Sequence, residues 1–287
     1  MTSLDKKTLD RLIEVLAVRG PIAVAVSGGV DSMTLAVVAH RTNPECQMFH
    51  ALSPAVPHQA TARVRKYAEQ EGWDLHLVDA GEIHDPEYVA NPANRCYFCK
   101  TNLYDTVCEQ TDLSVVSGTN LDDLGDYRPG LIAADEHKVK HPYVDAGITK
   151  DGIRDIARSL GLVDLQDLPA APCLSSRVTT GIAIDEKLLP VINEVEESLW
   201  ENLQMMLPIK GVRCRIRVDA VAIEIDTLET LDTESDYALE AKRIVTRLFT
   251  SYGFENYLQT VTIEPYKRGS AFLIETLQIE SPQTALE

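Results

Sequence analysis

Leu9, Leu12, Ile13 and Leu16 recur at helical spacing among charged residues, which predicts an amphipathic helix ending at the terminating pair Gly20-Pro21. Ile22 to Val26 is then a continuous run of β-branched and small apolar residues, the mark of a strand covered on both faces. It turns at Ser27-Gly28-Gly29-Val30-Asp31-Ser32 into a helix from Met33 to His40. The alternation continues with strand Gln47 to Ala51, helix Gln59 to Glu71, strand Leu75 to Val78, a polar loop from Gly81 to Arg95, helix Cys96 to Gln110 and strand Ser114 to Ser117. Strands alternating with helices predict an α/β fold around a parallel sheet with right-handed crossovers.

Thr149 is placed to cap a further helix that reaches Leu160-Gly161, while Leu162 to Thr180, with its prolines, reads as loop. Beyond Gly181 the texture changes. A long amphipathic helix from Asp185 to Met206 precedes two strands, Val212 to Val218 and Val221 to Ile225, around a turn at Asp219-Ala220. A helix from Tyr237 to Thr250 and a strand from Tyr257 to Ile263 follow. The expected organisation is a parallel-sheet domain over 1–180 and a smaller C-terminal α+β domain over 181–287.

Composition narrows the function classes. With 45% hydrophobic and 25% charged residues among 287, the chain has ordinary globular composition. Its apolar runs are too short for a bilayer crossing and its N-terminal pattern is amphipathic, which points to the cytoplasm and away from a membrane. Forty-four acidic against 27 basic residues give a formal charge of −17, which repels nucleic acid at long range and favours a small-molecule substrate. Six cysteines (46, 96, 99, 108, 173 and 214) without an export signal point to packing, metal ligation or nucleophilic chemistry in place of a disulfide framework.

Two constellations carry chemistry. The first is the strand–Ser27-Gly28-Gly29-Val30-Asp31-Ser32–helix turn. Adjacent glycines let successive N–H groups converge, the helix adds its positive end, and Ser27 and Ser32 add hydroxyls, so the turn suits a phosphate chain. Asp31 beside a polyphosphate calls for a divalent cation, assigned to Mg²⁺. No Gly-Lys-Ser/Thr follows, so the turn is not of the Walker A type. It resembles the SGGxDS signature of the PP-loop ATP pyrophosphatases, as do Ser117-Gly118-Thr119-Asn120 and His141-Pro142-Tyr143 leading to Lys150, Ile153-Arg154, Ala157 and Leu160-Gly161-Leu162. The resemblance covers roughly the first 165 residues. It implies an adenine nucleotide alpha hydrolase-like fold, ATP bound through Ser27, Gly28, Gly29, Asp31, Ser32 and Gly118, and cleavage to AMP and pyrophosphate.

The second constellation is Arg95-Cys96-Tyr97-Phe98-Cys99-Lys100 with Pro172-Cys173-Leu174-Ser175-Ser176-Arg177. A CxxC brings two thiolates within reach of one metal, and the basic neighbours are expected to lower the thiol pKa values. Cys96, Cys99 and Cys173 together suit a four-iron cluster with one open iron; zinc with His84 or His141 as fourth ligand is the alternative. Cys46, Cys108 and Cys214 are assigned to packing, and the seven histidines, which show no ligand spacing, to surfaces or satisfied core positions.

The segments Cys173-Leu174-Ser175-Ser176-Arg177, Asp126-Tyr127-Arg128-Pro129-Gly130-Leu131 and Val212-Arg213-Cys214-Arg215 with Glu224 are similar to the LarE-type sulfur transferases, which mature the nickel pincer cofactor of lactate racemase. The resemblance implies adenylation of a substrate carboxylate, then attack by sulfur from Cys173 or from a [4Fe-4S]-bound sulfide, in a homo-oligomer such as the ring-like hexamer that family members form. It assigns Cys173 to catalysis and Arg128, Ser176, Arg177, Arg213, Arg215 and Glu224 to the substrate. Arg213 and Arg215, two apart on a strand, share one face and suit either an anion clamp or a solvated or salt-bridged strand edge. The competing readings are a tRNA thiolase, a thiolase for another small molecule such as a purine, an ammonia-using ligase of the same superfamily, and a nucleotide- and cluster-binding sensor.

Overall fold

The computed structural model describes residues 3–125, 128–170 and 172–267. Of the expected site motifs, Asp126 and Tyr127 lie outside them, as do 268–287 of the C-terminal domain. The chain divides into two compact units: Met1–Ser175 with Ala183–Glu194, and Ser176–Ile182 with Val195–Glu287.

The first unit runs α1 (Ser3–Arg19), β1 (Ile22–Ala25), α2 (Val30–Thr42), β2 (Gln47–Ala51), α3 (His58–Glu71), β3 (Asp74–Val78), α4 (Pro86–Val89), α5 (Arg95–Gln110), β4 (Ser114–Val116), α6 (Pro129–Glu136), α7 (Pro142–Asp145), α8 (Lys150–Ser159) and α9 (Val163–Gln166). The strands form one sheet in the order β3-β2-β1-β4, all parallel. Every residue of β1 is buried, as its unbroken apolar run requires of a strand covered on both faces. Leu12 and Leu16 of α1 share a core with β1, with the nearly wholly buried α2 and with Ile153, Ile156 and Ala157 of α8. Ile13, expected on the same stripe, is 37% exposed. A second core joins Ala23, Phe49 and Val115 of the sheet to Leu103, Tyr104 and Val107 of α5 and Ala133 and Ala134 of α6.

Thr149 caps α8, its hydroxyl accepting from the Gly152 N–H at 3.4 Å. The stretch read as loop from Leu162 to Thr180 contains α9 and a 3-10 turn at Leu174–Arg177. Among the described residues, no helix is long and apolar enough to cross a membrane.

Residues 188–203 form α10 (Leu188–Leu203). The second unit contains the sheet β5 (Ile209–Arg217), β6 (Ala220–Thr227) and β7 (Thr260–Pro265), with α11 (Asp236–Ser251) before β7. β5 and β6 are antiparallel about Asp219, which takes a left-handed turn conformation, and β7 joins β6 in parallel. The buried stripe Ala238, Ala241, Ile244, Val245, Leu248 and Phe249 follows the helical repeat of α11.

Candidate active site

The strand order places the phosphate loop. The chain moves from β1 outward through β2 and β3, then returns to the other side of β1 as β4. The direction of winding therefore reverses between β1 and β4, and in an open parallel sheet ligands bind beyond the carboxyl ends of the strands at such a reversal. Both glycine-bearing turns follow these two strands: Ser27 to Ser32 after β1, and Ser117 to Asn120 after β4.

Gly28 has φ +79°, and a Cβ there would stand 2.7 Å from the Ala60 carbonyl oxygen of α3. Gly118 has no such backbone demand, but a Cβ would lie 2.8 Å from the Ser32 nitrogen and 3.0 Å from the Asp31 carbonyl carbon. The second turn thus sits directly on the start of α2. Alanine at Gly118 is expected to push the two turns apart, costing about 1–3 kcal/mol of stability and weakening ATP binding at least tenfold. Thermal unfolding with and without ATP checks this.

Within the loop the Ser27 N–H donates to Ser32 Oγ at 3.0 Å, the two hydroxyls meet at 3.0 Å, and Ser32 Oγ donates to the Gly29 carbonyl at 3.2 Å. Gly29 is the N-cap of α2 without a side-chain cap, so the first N–H groups of the helix stay available to an anion.

Asp31, in the first turn of α2, receives Lys150 Nζ on Oδ2 at 2.5 Å, and its main-chain carbonyl accepts from the buried Tyr143 hydroxyl at 3.0 Å. Its other oxygen, Oδ1, is buried without a hydrogen-bond partner among the described residues. Desolvation raises the Asp31 pKa above the usual carboxylate value against the opposing pull of Lys150. A half-buried, half-satisfied carboxylate at the phosphate loop fits a Mg²⁺ ligand, since a hard divalent cation takes carboxylate oxygens. Lys150 is marked in the sequence only by its motif; the contact to Asp31 spans 119 positions. His141 meets the Ser117 hydroxyl at 3.0 Å, and burial lowers its pKa. His50 is a satisfied core residue: Nδ1 donates to the Val26 carbonyl at 2.8 Å and Nε2 pairs with the Thr61 hydroxyl at 2.9 Å.

The three cysteines of the second constellation occupy one neighbourhood of the first unit. Cys96 and Cys99 stand one turn apart on α5, and both feel the charge of Cys173. The Lys100 ammonium acts on all three thiols and lies 5.8 Å from the centroid of the Tyr104 ring. Arg95 and Arg128 also act on Cys96, and Arg128 is paired with Asp123 at 2.7 Å.

The expected depression of the CxxC thiol pKa values does not occur. Desolvation pushes Cys99 up to about 12 and raises Cys96, and it outweighs the basic neighbours. Among the described residues no three His, Cys, Asp or Glu side chains are arranged to hold a metal ion. Of the cysteines assigned to packing, Cys46 and Cys214 are buried, whereas Cys108 is exposed on α5.

A chain of hydrogen bonds, buried at its Tyr88–Ser175 end, sets where Cys173 stands. Asp85 caps α4 by accepting from the Glu87 N–H at 2.9 Å, and its other oxygen accepts from Asn102 Nδ2 of α5 at 2.8 Å. From α4 the Tyr88 hydroxyl reaches Ser175 Oγ at 2.5 Å, with both side chains buried, and the Leu174 N–H donates to the Ala55 carbonyl at 2.8 Å. The CxxC helix and the Cys173 segment are therefore tied through one short helix that the periodicity of the sequence does not predict.

The remaining expected substrate residues lie in the second unit. Arg177 makes a two-pronged contact with Glu196, Nε to Oε1 at 2.9 Å and Nη2 to Oε2 at 2.8 Å, and donates to Ser176 Oγ at 3.1 Å. The Cys214 N–H shares Glu196 Oε1 at 2.9 Å. Arg215 donates to Glu224 Oε2 at 2.9 Å and to the Ser176 carbonyl at 2.6 Å, with both charged side chains buried. Arg213 stands 4.0 Å from Glu196 and donates to the Val212 carbonyl at 2.7 Å; burial and the neighbouring Arg177 lower its pKa. Arg177 with Glu196 and Arg215 with Glu224 thus form internal ion pairs, the second of them buried, which is the salt-bridged alternative for Arg215.

No family model matches the chain. It is 34% identical over 252 residues to an uncharacterised protein of Synechocystis sp., covering 86% of this chain and 90% of that one. It is 26% identical over 213 residues, 71% of this chain and 74% of that one, to the pyridinium-3,5-bisthiocarboxylic acid mononucleotide synthase of Lactiplantibacillus plantarum. It is also 26% identical over 249 residues, 74% of this chain and 79% of that one, to one subunit of the glutamine-hydrolysing GMP synthase of Thermococcus kodakarensis. The winding reversal, the SGGVDS turn and the Gly118 turn seated on it, with these two synthases as relatives, define a PP-loop protein of the ATP pyrophosphatase superfamily. Within that superfamily the chain belongs to the family of the Synechocystis protein.

Proposed function

We propose that this protein is an ATP-dependent sulfur transferase that adenylates a small-molecule carboxylate and exchanges an oxygen for sulfur through Cys173. The observation that carries this reading is that Cys96, Cys99 and Cys173 all interact electrostatically with Lys100, in the same unit that bears the phosphate loop. A PP-loop ligase that uses ammonia has no need of three thiols there.

The acceptor proposed is the pyridinium-3,5-biscarboxylic acid mononucleotide, the oxygen counterpart of the compound in the Lactiplantibacillus synthase's name. Ser27 to Ser32 would hold the ATP phosphates, with Mg²⁺ on Asp31 Oδ1 neutralising their charge. A substrate carboxylate oxygen attacks the α-phosphorus, the bond to the β-phosphate oxygen breaks, and pyrophosphate leaves with the electron pair. The Cys173 thiolate then adds at the acyl carbon and AMP departs, leaving a thioester. Removal of the Cys173 Cα proton with cleavage of its Cβ–S bond gives the thiocarboxylate and dehydroalanine, with no change of oxidation state to be supplied from outside.

A second reading keeps Cys173 intact. It is favoured by the shared field of the three thiols and Lys100, and opposed by the missing metal-holding arrangement among the described residues. A [4Fe-4S] cluster bound there would supply sulfide in place of the cysteine's own sulfur.

The test is incubation with ATP, Mg²⁺, the biscarboxylate nucleotide and sulfide, on protein purified without oxygen. AMP, pyrophosphate and the thiocarboxylate are expected. About four irons per chain accompany the cluster route, and dehydroalanine at 173 the sacrificial one. Amide formation from ammonia, with no sulfur incorporated, would overturn both readings in favour of a ligase.

A further inference from the structure

A cation with no counter-ion among the described residues is hydrogen-bonded to the phosphate loop. Arg63 of α3 donates Nη1 to the Gly28 carbonyl at 2.7 Å. The first turn of α3 packs on the loop at the same place, where a Cβ on Gly28 would also meet the Ala60 Cβ at 2.9 Å. Among the described residues Arg63 forms no ion pair and makes no other hydrogen bond. The acidic group that acts on it, Asp164, is engaged by Lys66 Nζ at 2.8 Å and by the Tyr67 hydroxyl. Lys150 differs, its ammonium resting on Asp31.

A guanidinium carries five N–H donors in a planar fork, of which the loop carbonyl uses one. Arg63 is half-buried, and desolvation disfavours its charge. Holding an unpaired cation in a partly dry position is costly unless an anion completes it.

We propose that Arg63 is a phosphate-binding residue of this site, keeping Nη1 on the Gly28 carbonyl and turning its remaining donors to the ATP polyphosphate and to the pyrophosphate released from it. The inference rests on the reading of the loop as a nucleotide site. When the bond from the α-phosphorus to the bridging oxygen breaks, the electron pair stays on pyrophosphate, and the guanidinium offsets that added charge while keeping its proton. The Gly28 contact fixes the guanidinium to the loop, so its ordering cost is met before the nucleotide arrives.

The experiment is calorimetric titration of the full chain with Mg²⁺–ATP, inorganic pyrophosphate and AMP, for the wild type, Arg63→Gln and Arg63→Lys, with thermal unfolding of each. Arg63→Gln is expected to weaken ATP and pyrophosphate by about tenfold or more, the loss of one hydrogen bond to a charged group. AMP binding should be unchanged, and Arg63→Lys should recover part of the loss. Wild-type affinity for pyrophosphate in Arg63→Gln overturns the inference and leaves the nucleotide reading standing. An equal loss for AMP with a lowered midpoint overturns it too, by making Arg63 a brace for the loop alone. A wild type that binds neither ATP nor pyrophosphate removes the nucleotide reading and the inference with it.

Discussion

Serine in place of Cys173 is expected to lower thiocarboxylate formation by roughly 10³-fold or more while ATP binding persists. An alkoxide at this position can make an ester with the activated carboxylate but holds no sulfur to give, and a hydroxyl is a poor replacement for a thiolate as an iron ligand. The substitution changes one atom of a half-buried side chain, and the segment around it is held independently by the Leu174 N–H on the Ala55 carbonyl and by Ser175 on Tyr88. The fold should therefore survive, which an unchanged unfolding midpoint verifies. Cys96→Ala and Cys99→Ala divide the two routes. Sacrificial transfer needs neither thiol and should continue for one turnover, whereas cluster-borne sulfide needs both. Full activity in Cys173→Ser would sink the sulfur-transfer proposal.

Methionine at Arg215 is expected to destabilise the second unit by about 3–5 kcal/mol, read as a lower urea midpoint. Arg215 and Glu224 are 8% and 2% exposed at their side chains, and the Glu224 carboxylate takes its hydrogen bond, at 2.9 Å, from this guanidinium. Removing the guanidinium strands a buried carboxylate and leaves the Ser176 carbonyl without the donor it has at 2.6 Å. Replacing both partners together, Arg215→Met with Glu224→Leu, should cost less than the single change, because no charge is then left unpaired. If Arg215→Met keeps wild-type stability and loses only affinity for the nucleotide acceptor, Arg215 is a substrate ligand and its pairing with Glu224 is a resting state.

The residues that write the phosphate loop were legible because their chemistry is local. Two adjacent glycines between a wholly apolar run and a helix need no distant partner to form a turn, so β1 and α2 appear in the sequence, although α2 begins at Val30, inside the expected turn, and not at Met33. The one-turn helices α4, α7 and α9 are too short to show a 3.6-residue repeat, and the eight-residue α6 barely does. Pro86, Pro129 and Pro142 at their starts were the available signal, since proline suits the first helical position. That omission matters, because α4 carries the Tyr88 that holds the Cys173 segment.

What the sequence determined by itself is the alternation that builds a parallel sheet and the glycine turn after β1. These follow from periodicity and from residues acting within a few positions of themselves. Only the tertiary structure decided which charges were spent. It put Lys150 on Asp31, left Arg63 on the loop without a carboxylate among the described residues, and locked Arg177 and Arg215 to Glu196 and Glu224. It likewise reversed the expected shift of the Cys96 and Cys99 thiols. The reason is the same in each case: the basic neighbours of a residue are visible along the chain, but the water it loses and the partner it gains depend on other elements of the fold, from nine to 119 positions away, and at these sites desolvation and pairing outweigh the neighbours in sequence.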